Sequence, residues 1–279
     1  MTTGVPVWAE LFPNEDYQFR FGIRAGSPQR FFGVQNPSGE MIAERRRWLR
    51  DTPAHTLVYK PDAALMIAET VRHAIRWNTV SAEDTKKMPD DRDAPALIRW
   101  LGEVWESDFL LLAAPAGGEY VLQAGCVCFP SSWHPEEKLG RPLSEIHDPV
   151  PGLNAKLGDR ISQFLARIKP DTGWERANWG LSRSPELNQH PTRILPKLIP
   201  PFRADDIWVR IEYQIFYRLP ETGGVLFGIR LLNLPLPELM LCQSASIGLH
   251  RALATMPEPI AIYKNLSQGR EQLLKLLSA

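Results

Sequence analysis

One histidine stands out among the residues able to do chemistry. The stretch Cys128-Phe-Pro-Ser-Ser-Trp133-His-Pro-Glu-Glu-Lys138-Leu-Gly-Arg-Pro-Leu143-Ser-Glu-Ile-His147-Asp-Pro-Val-Pro151 leaves an apolar run and passes a polar turn. It delivers His147 into a corner stiffened by prolines. An imidazole held in a fixed direction can ligate a metal ion or a heme iron, with Asp148 or a nearby carbonyl orienting the other ring nitrogen. His190, in Leu187-Asn-Gln-His190-Pro-Thr192, is the rival for that role. His134 precedes Pro135 and reads as a helix start, and His73 reads as structural, on a helix face. Cys126 and Cys128 are two residues apart and share one face of a strand. They read as small buried thiols, and no Cys-x-x-Cys-His is present for covalent heme attachment.

Two further segments place polar groups at strand spacing. Arg176 and Asn178 share a face, and so do Glu212, Gln214, Phe216 and Arg218, with Tyr213, Tyr217 and Leu219 on the other side. An arginine fork suits a carboxylate, because it bonds two oxygens at once. A carboxylate such as Glu212 can balance an ammonium group, and neighbouring aromatic rings can contact the same cation.

These residues need elements to hold them. Helical spacing appears at 41–49, 61–77, 94–105, 153–168, 238–255 and 266–278. Pro61 suits a first turn. Period-two apolar runs joined by Gly-rich turns predict two hairpins, 109–113 with 120–129 and 207–219 with 225–232. A further strand is expected at 174–181, and Phe19, Phe21 and Ile23 alternate as a short strand or extended arm. The proline-punctuated stretch 182–205 reads as an excursion or lid. This order makes the class α+β. Its centre reads strand, strand, short helices, helix, then three strands, the order used by PAS domains. The expectation is a PAS-like antiparallel five-stranded sheet with helices on one face. It would be flanked by an N-terminal, mainly helical extension over 1–105, a core over 106–236 and C-terminal helices over 237–279.

Composition sets outer limits. With 279 residues and a formal charge of zero, the chain is long enough for a substantial core, and nothing points to a nucleic-acid or membrane partner. Three cysteines argue against a disulfide framework. The first residues lack the basic and apolar regions of a secretory signal, and no apolar run approaches the ~18 residues of a membrane span. The reading is a reduced, soluble, cytoplasmic protein. Signatures for phosphate-cradling loops, GxGxxG, HExxH and GxSxG are absent, so any reductant must arrive through another protein.

Four segments in order carry a resemblance. They are Cys128-Phe-Pro-Ser-Ser-Trp133 through Ile146-His-Asp-Pro-Val-Pro151; Arg176-Ala-Asn-Trp179; Arg210-Ile-Glu212-Tyr-Gln214-Ile-Phe-Tyr217-Arg218-Leu-Pro220 with Phe227-Gly-Ile-Arg230; and Met256-Pro-Glu-Pro-Ile-Ala-Ile-Tyr263-Lys264. Together, and with Ala43-Glu-Arg-Arg-Arg-Trp-Leu49 near the front, the chain resembles the heme-dependent oxidative N-demethylase family. The resemblance implies a PAS-like core holding heme b. It also implies oxidation of a small secondary amine by O2, with electrons from a separate reductase carrying flavin and an iron–sulfur centre. A homo-oligomer is compatible with the sequence. The implied roles are His147 as iron ligand, with His190 as runner-up; His147, Arg176, Arg218, Arg230 and Trp133 around the cofactor; and Arg176, Asn178, Glu212 and Tyr217 in catalysis. The chain departs from the family at two places. Glu212-Tyr-Gln-Ile-Phe-Tyr217-Arg-Leu-Pro stands where the family has Glu-Arg-Gln-Thr-Leu-Arg-Arg-Leu-Pro, and Phe227-Gly-Ile-Arg230 where it has Phe-Thr-Ile-Arg. A heme sensor without turnover and a peroxide-using heme enzyme are the competing outcomes of the same resemblance. Amine-dependent O2 consumption separates them.

Overall fold

Alternating apolar residues on either side of the Pro220–Gly224 turn build the two longest strands, β6 (Trp208–Arg218) and β7 (Val225–Pro235). The computed structural model describes residues 8–115 and 118–278. Residues 1–7, read above for a secretory signal, and residues 116 and 117 in the first hairpin turn lie outside the described residues. The remaining strands are β1 (Arg24–Gly26), β2 (Leu57–Tyr59), β3 (Asp108–Ala113), β4 (Val121–Cys126) and β5 (Gly173–Ser182). All pairings are antiparallel, in the order β1-β5-β6-β7-β3-β4-β2.

The class is α+β, but the sheet has seven strands, not five. Two three-residue segments of the N-terminal region add themselves at opposite edges, β1 on β5 and β2 on β4. Such segments are too short for a period to show in sequence, and they shield edges that would otherwise be open to other chains. Alternation at Phe19, Phe21 and Ile23 does not give a strand; the chain pairs only from Arg24 onwards. Phe21 instead meets Phe164 edge-on at 5.3 Å.

Helices cover both faces of the sheet, not one. On the first face, Leu110, Leu112, Leu122 and Val225 pack with Leu165 and Ile168. The helix Asp159–Arg167 places Ile161, Phe164 and Leu165 on this side, and a π-turn, Asn154–Gly158, leads into it. On the opposite face, Phe109, Leu111, Ile215, Tyr217 and Leu226 meet helices Glu40–Asp51, Ala64–Arg76 and Ala94–Val104. At the far end of that face, Leu181, Val209 and Ile211 pack with Leu249, Leu253, Ile260 and Leu273 of the C-terminal helices. The helix expected over 238–255 is broken into Leu236–Met240 and Gln243–Thr255, because Cys242 takes an extended conformation and starts the second piece. Among the described residues no helix is long and apolar enough to cross a membrane.

One polar knot sits inside this apolar frame. Asp108 and Arg45 are almost completely buried and form an ion pair of 2.5 Å. Arg45 also donates to the carbonyl of Gly102 at 2.9 Å. Asp108 accepts the backbone N–H groups of Cys128 at 2.7 Å and Phe129 at 3.0 Å, where the chain leaves β4. Removing one partner of such a pair strands the other charge in a dry interior. Asp108→Ala should therefore lower unfolding free energy by about 3–5 kcal/mol in urea titration. Glu271→Ala, which breaks an exposed pair with Lys275, should leave the midpoint unchanged.

Candidate active site

Asp108 fixes the exit angle of the segment that follows β4, and Arg210 fixes its next turn. The Arg210 guanidinium, on β6, donates to Phe129 O and Ser131 Oγ, both at 2.8 Å. Burial lowers its pKa to about 10, against the pull of Glu212 and Asp108. Ser132 adopts a left-handed backbone (φ 60°) and donates its N–H to Gln189 O at 3.1 Å. Gln189 in turn donates to Pro130 O at 3.0 Å, so the 183–203 excursion is zipped onto this turn. Further on, Gly140 and Leu143 donate to Leu122 and Tyr120 carbonyls, at 2.8 and 2.9 Å, which ties the segment back to the start of β4. The short helix Leu143–His147 then ends on His147.

His147 is half-buried. Burial, and next the charge of Arg176, push its imidazole below the usual value, against Glu119. The ring is therefore neutral at pH 7, the form that ligates a metal. Arg176 lies on β5, and the register places Arg176 beside Gln214 and Asn178 beside Glu212 on the same sheet face. Burial lowers the Arg176 pKa as well, against the opposing pull of Glu212. Its Nε is buried and has no hydrogen-bond partner. A buried donor left unpaired is costly and marks a place where another acceptor belongs.

Glu212 is gripped from two sides. Ser131 Oγ donates to Oε1 at 2.5 Å, and Gln214 Nε2 donates to Oε2 at 3.0 Å. Lys264 approaches the same region from the C-terminal helices, across β5 where no strand lies outside it. Its ammonium donates to Trp179 O at 2.8 Å and sits 5.1 Å from that indole ring. Burial brings the Lys264 pKa down to about 8, with Glu212 pulling it up and Arg176 pushing it down. Glu212 also raises the phenol of Tyr263, after the larger effect of burial. His147, Arg176, Glu212 and Lys264 thus share one electrostatic neighbourhood. Asn178 and Gln214 lie in its floor, and Trp174, Phe164, Phe216 and Phe227 form an aromatic wall farther along the same face.

Other residues singled out from sequence lie elsewhere. Trp133 packs half-buried among the apolar residues of this face. Arg218 shares the face but donates to the Tyr120 hydroxyl. Tyr217 and Arg230 point to the opposite face. Tyr217 donates to Asp171 at 2.5 Å and packs on Trp77 and His73. Arg230 pairs with Glu106 at 3.2 Å and bonds the carbonyls of Phe31 and Gly33. Neither joins the Arg176–Glu212 strip. His190 is buried away from the strip against Glu136 and Thr192. Cys126 and Cys128 lie in the core beside Arg45, and burial pushes the Cys128 thiol up, so a thiolate is disfavoured there.

Sequence reasoning missed Ser131, Arg210 and Lys264. All three stand inside segments that carry the resemblance, yet each was read there as spelling, not as a functional group. A lysine two residues after an apolar Ile-Ala-Ile run is the one signal that pointed to burial. The Tyr213 and Tyr217 departures face the N-terminal helices, so they leave the polar strip as it is.

A known family model matches this chain. The family model described as haem-dependent oxidative N-demethylase, alpha subunit-like, aligns over residues 75–274. That span covers well over half of the chain and includes every member of the polar strip. This chain belongs to that haem-dependent oxidative N-demethylase alpha subunit-like family.

Proposed function

We propose that this chain is the heme b-carrying subunit of an oxidase that removes a methyl group from a small secondary amine. Membership of a heme-dependent family supports the cofactor class, and the unpartnered Nε of buried Arg176 supports its place. Two desolvated cations, Arg176 and Lys264, both draw on the single carboxylate of Glu212. Heme propionates are carboxylates that would answer that imbalance, and the Trp174–Phe216–Phe227 wall suits a planar ring. His147, whose imidazole is held down by burial and by Arg176, would hold the heme iron, with His190 the runner-up. The chain order of the inner strands, two before the helix Asp159–Arg167 and three after it, supports a PAS-like reading of the core.

When bound, heme supplies O2 activation, with two electrons from a separate reductase carrying flavin and an iron–sulfur centre; the designation alpha subunit-like supports such a partner. The balance is R(CH3)NH + O2 + 2e− + 2H+ → RNH2 + CH2O + H2O. The chain's own residues bind and orient. Glu212 Oε1 and Oε2, held by Ser131 and Gln214, accept the ammonium N–H and can take the proton that frees the amine lone pair. Asn178, opposite Glu212 in register, offers an amide to the same ligand. Burial, and next Arg176, hold the His147 imidazole below its usual pKa, and Arg176 would anchor a propionate of the cofactor. Buried side chains of this face keep water away from the reacting carbon.

Three outcomes follow. Purified protein reconstituted with hemin should show a Soret band that His147→Ala weakens or shifts. If only His190→Ala does so, the iron ligand is His190. Glu212→Gln should raise KM for the amine about tenfold or more with a smaller fall in kcat, as expected for lost charge-assisted binding. Heme affinity should also fall with pH. Lys264 is charged below about 8 in the free protein, and a bound carboxylate would hold its proton to higher pH. Affinity therefore weakens as pH rises through 8, and Lys264→Arg, which stays charged, should flatten the profile. A wild-type profile in that variant would place the propionates away from Lys264.

A further inference from the structure

A second cluster of ligand-type side chains lies away from the polar strip. His55 comes from the short helix Pro53–Thr56, Glu136 from Pro135–Lys138, and His190 from the 183–203 excursion. One ligand atom from each lies within 4.8 Å of the others. His55 Nδ1 is 2.7 Å and His190 Nε2 3.3 Å from Glu136 Oε1. His134 Nδ1, from the residue that starts the Glu136 helix, is 3.5 Å from the same oxygen. The three imidazoles also crowd one another, with the His190 ring 4.6 Å from that of His55 and 4.7 Å from that of His134.

We propose that His55, Glu136 and His190 form a site for a structural zinc-class divalent ion, which His134 would close by swinging its ring from Glu136 toward the other two. Three imidazoles and one carboxylate are a borderline-soft donor set, which favours Zn2+ over the oxygen-seeking Ca2+ and Mg2+. Ligand atoms around tetrahedral zinc lie roughly 3.4 Å apart, given bonds of about 2.0–2.1 Å. The His190–Glu136 and His134–Glu136 separations already have that spacing. The His55–Glu136 contact is a hydrogen bond and would open by roughly 0.7 Å as the ion replaces its proton. His190 is buried at 4 % exposure, whereas the His55 side chain is 40 % exposed, which leaves an entry path.

The surroundings agree with this chemistry. His190 is packed between the other two imidazoles and Glu136, with its second ring nitrogen turned to Thr192. Thr192 Oγ1 lies 2.8 Å from His190 Nδ1, the contact that orients a ligating histidine from behind. The Thr192 N–H also points at that nitrogen, at 3.3 Å, so the ion-free ring carries its proton on Nε2. For Nε2 to ligate, the proton would move to Nδ1, where the Thr192 hydroxyl would accept it and the long contact from the Thr192 N–H would open. Such an ion would add a cross-link among three segments that already meet through β2–β4 pairing and the Ser131–Gln189 bridge: the N-terminal helices, the turn that leads to His147, and the excursion.

The test uses the purified full chain with Zn2+ alone as probe. After EDTA treatment and desalting, the protein should retain about one equivalent of added zinc by elemental analysis. Its Tm should rise by several degrees at saturating zinc, as expected of a ligand that binds only the folded state. Mg2+ and Ca2+ should do neither. Glu136→Gln and His55→Ala should each weaken zinc binding about tenfold or more while leaving the heme Soret band unchanged, since half-exposed His55 is tolerant of truncation. Retention well below one equivalent by wild-type protein, or wild-type zinc affinity in both variants, would overturn the proposal. Loss of zinc binding together with the Soret band on His190→Ala would instead assign His190 to the heme iron.

Discussion

The Asp108 carboxylate holds more of this structure in place than any other single group. It sits at the first residue of β3, takes the buried charge of Arg45 from the N-terminal helices, and receives two backbone N–H groups at the end of β4. A carboxylate with no water around it needs all of these donors at once. Three parts of the chain are therefore bound to a common point. The segment carrying Ser131 and His147 leaves from that point at a fixed angle. Arg210 continues the restraint by holding the next two carbonyls and the Ser131 hydroxyl. The position of Ser131 against Glu212 is thus inherited, one hydrogen bond at a time, from the core.

What this relay delivers is a strip where charge is poorly hydrated. In such surroundings a lysine titrates near 8 and an arginine near 10, because each pays for lost water without full return from a partner. Arg176, whose buried Nε has no acceptor, is the cation a ligand would relieve most. The aromatic residues farther along the same face supply the complementary half, an apolar surface continuous with the core under helix Asp159–Arg167.

Much of this was legible in sequence. The two hairpins, the long amphipathic helices and the parity of residues 212, 214 and 218 all follow from periodicity, which packing against a core enforces. His147, Arg176 and Glu212 were also visible, because they sit in compact motifs. What periodicity could not show was pairing between distant segments. β1 and β2 are three residues long, and their partners lie far away in the chain. Arg230 and Tyr217 look like functional groups in one dimension, yet β7 and β6 turn them toward Phe31 and Trp77. The grouping of His55 with His190 is another case, since 135 positions of chain separate residues whose rings are 4.6 Å apart.

Strand parity also changes the meaning of the departures from the family pattern. Tyr213, Ile215 and Tyr217 stand at odd positions of β6 where the resembled pattern has Arg, Thr and Arg; at the even ones Glu212, Gln214 and Arg218 match it, and Phe216 stands where it has Leu. Gly228 replaces Thr on the same side of β7, and a Cβ there would stand 2.6 Å from the Phe32 ring. These changes move together, toward an apolar face that accommodates Phe31, Phe32 and Trp77. On a two-sided strand, packing against Phe31, Phe32 and Trp77 and contact with Ser131 are assigned to alternate residues, so a change on one face leaves the groups of the other in place.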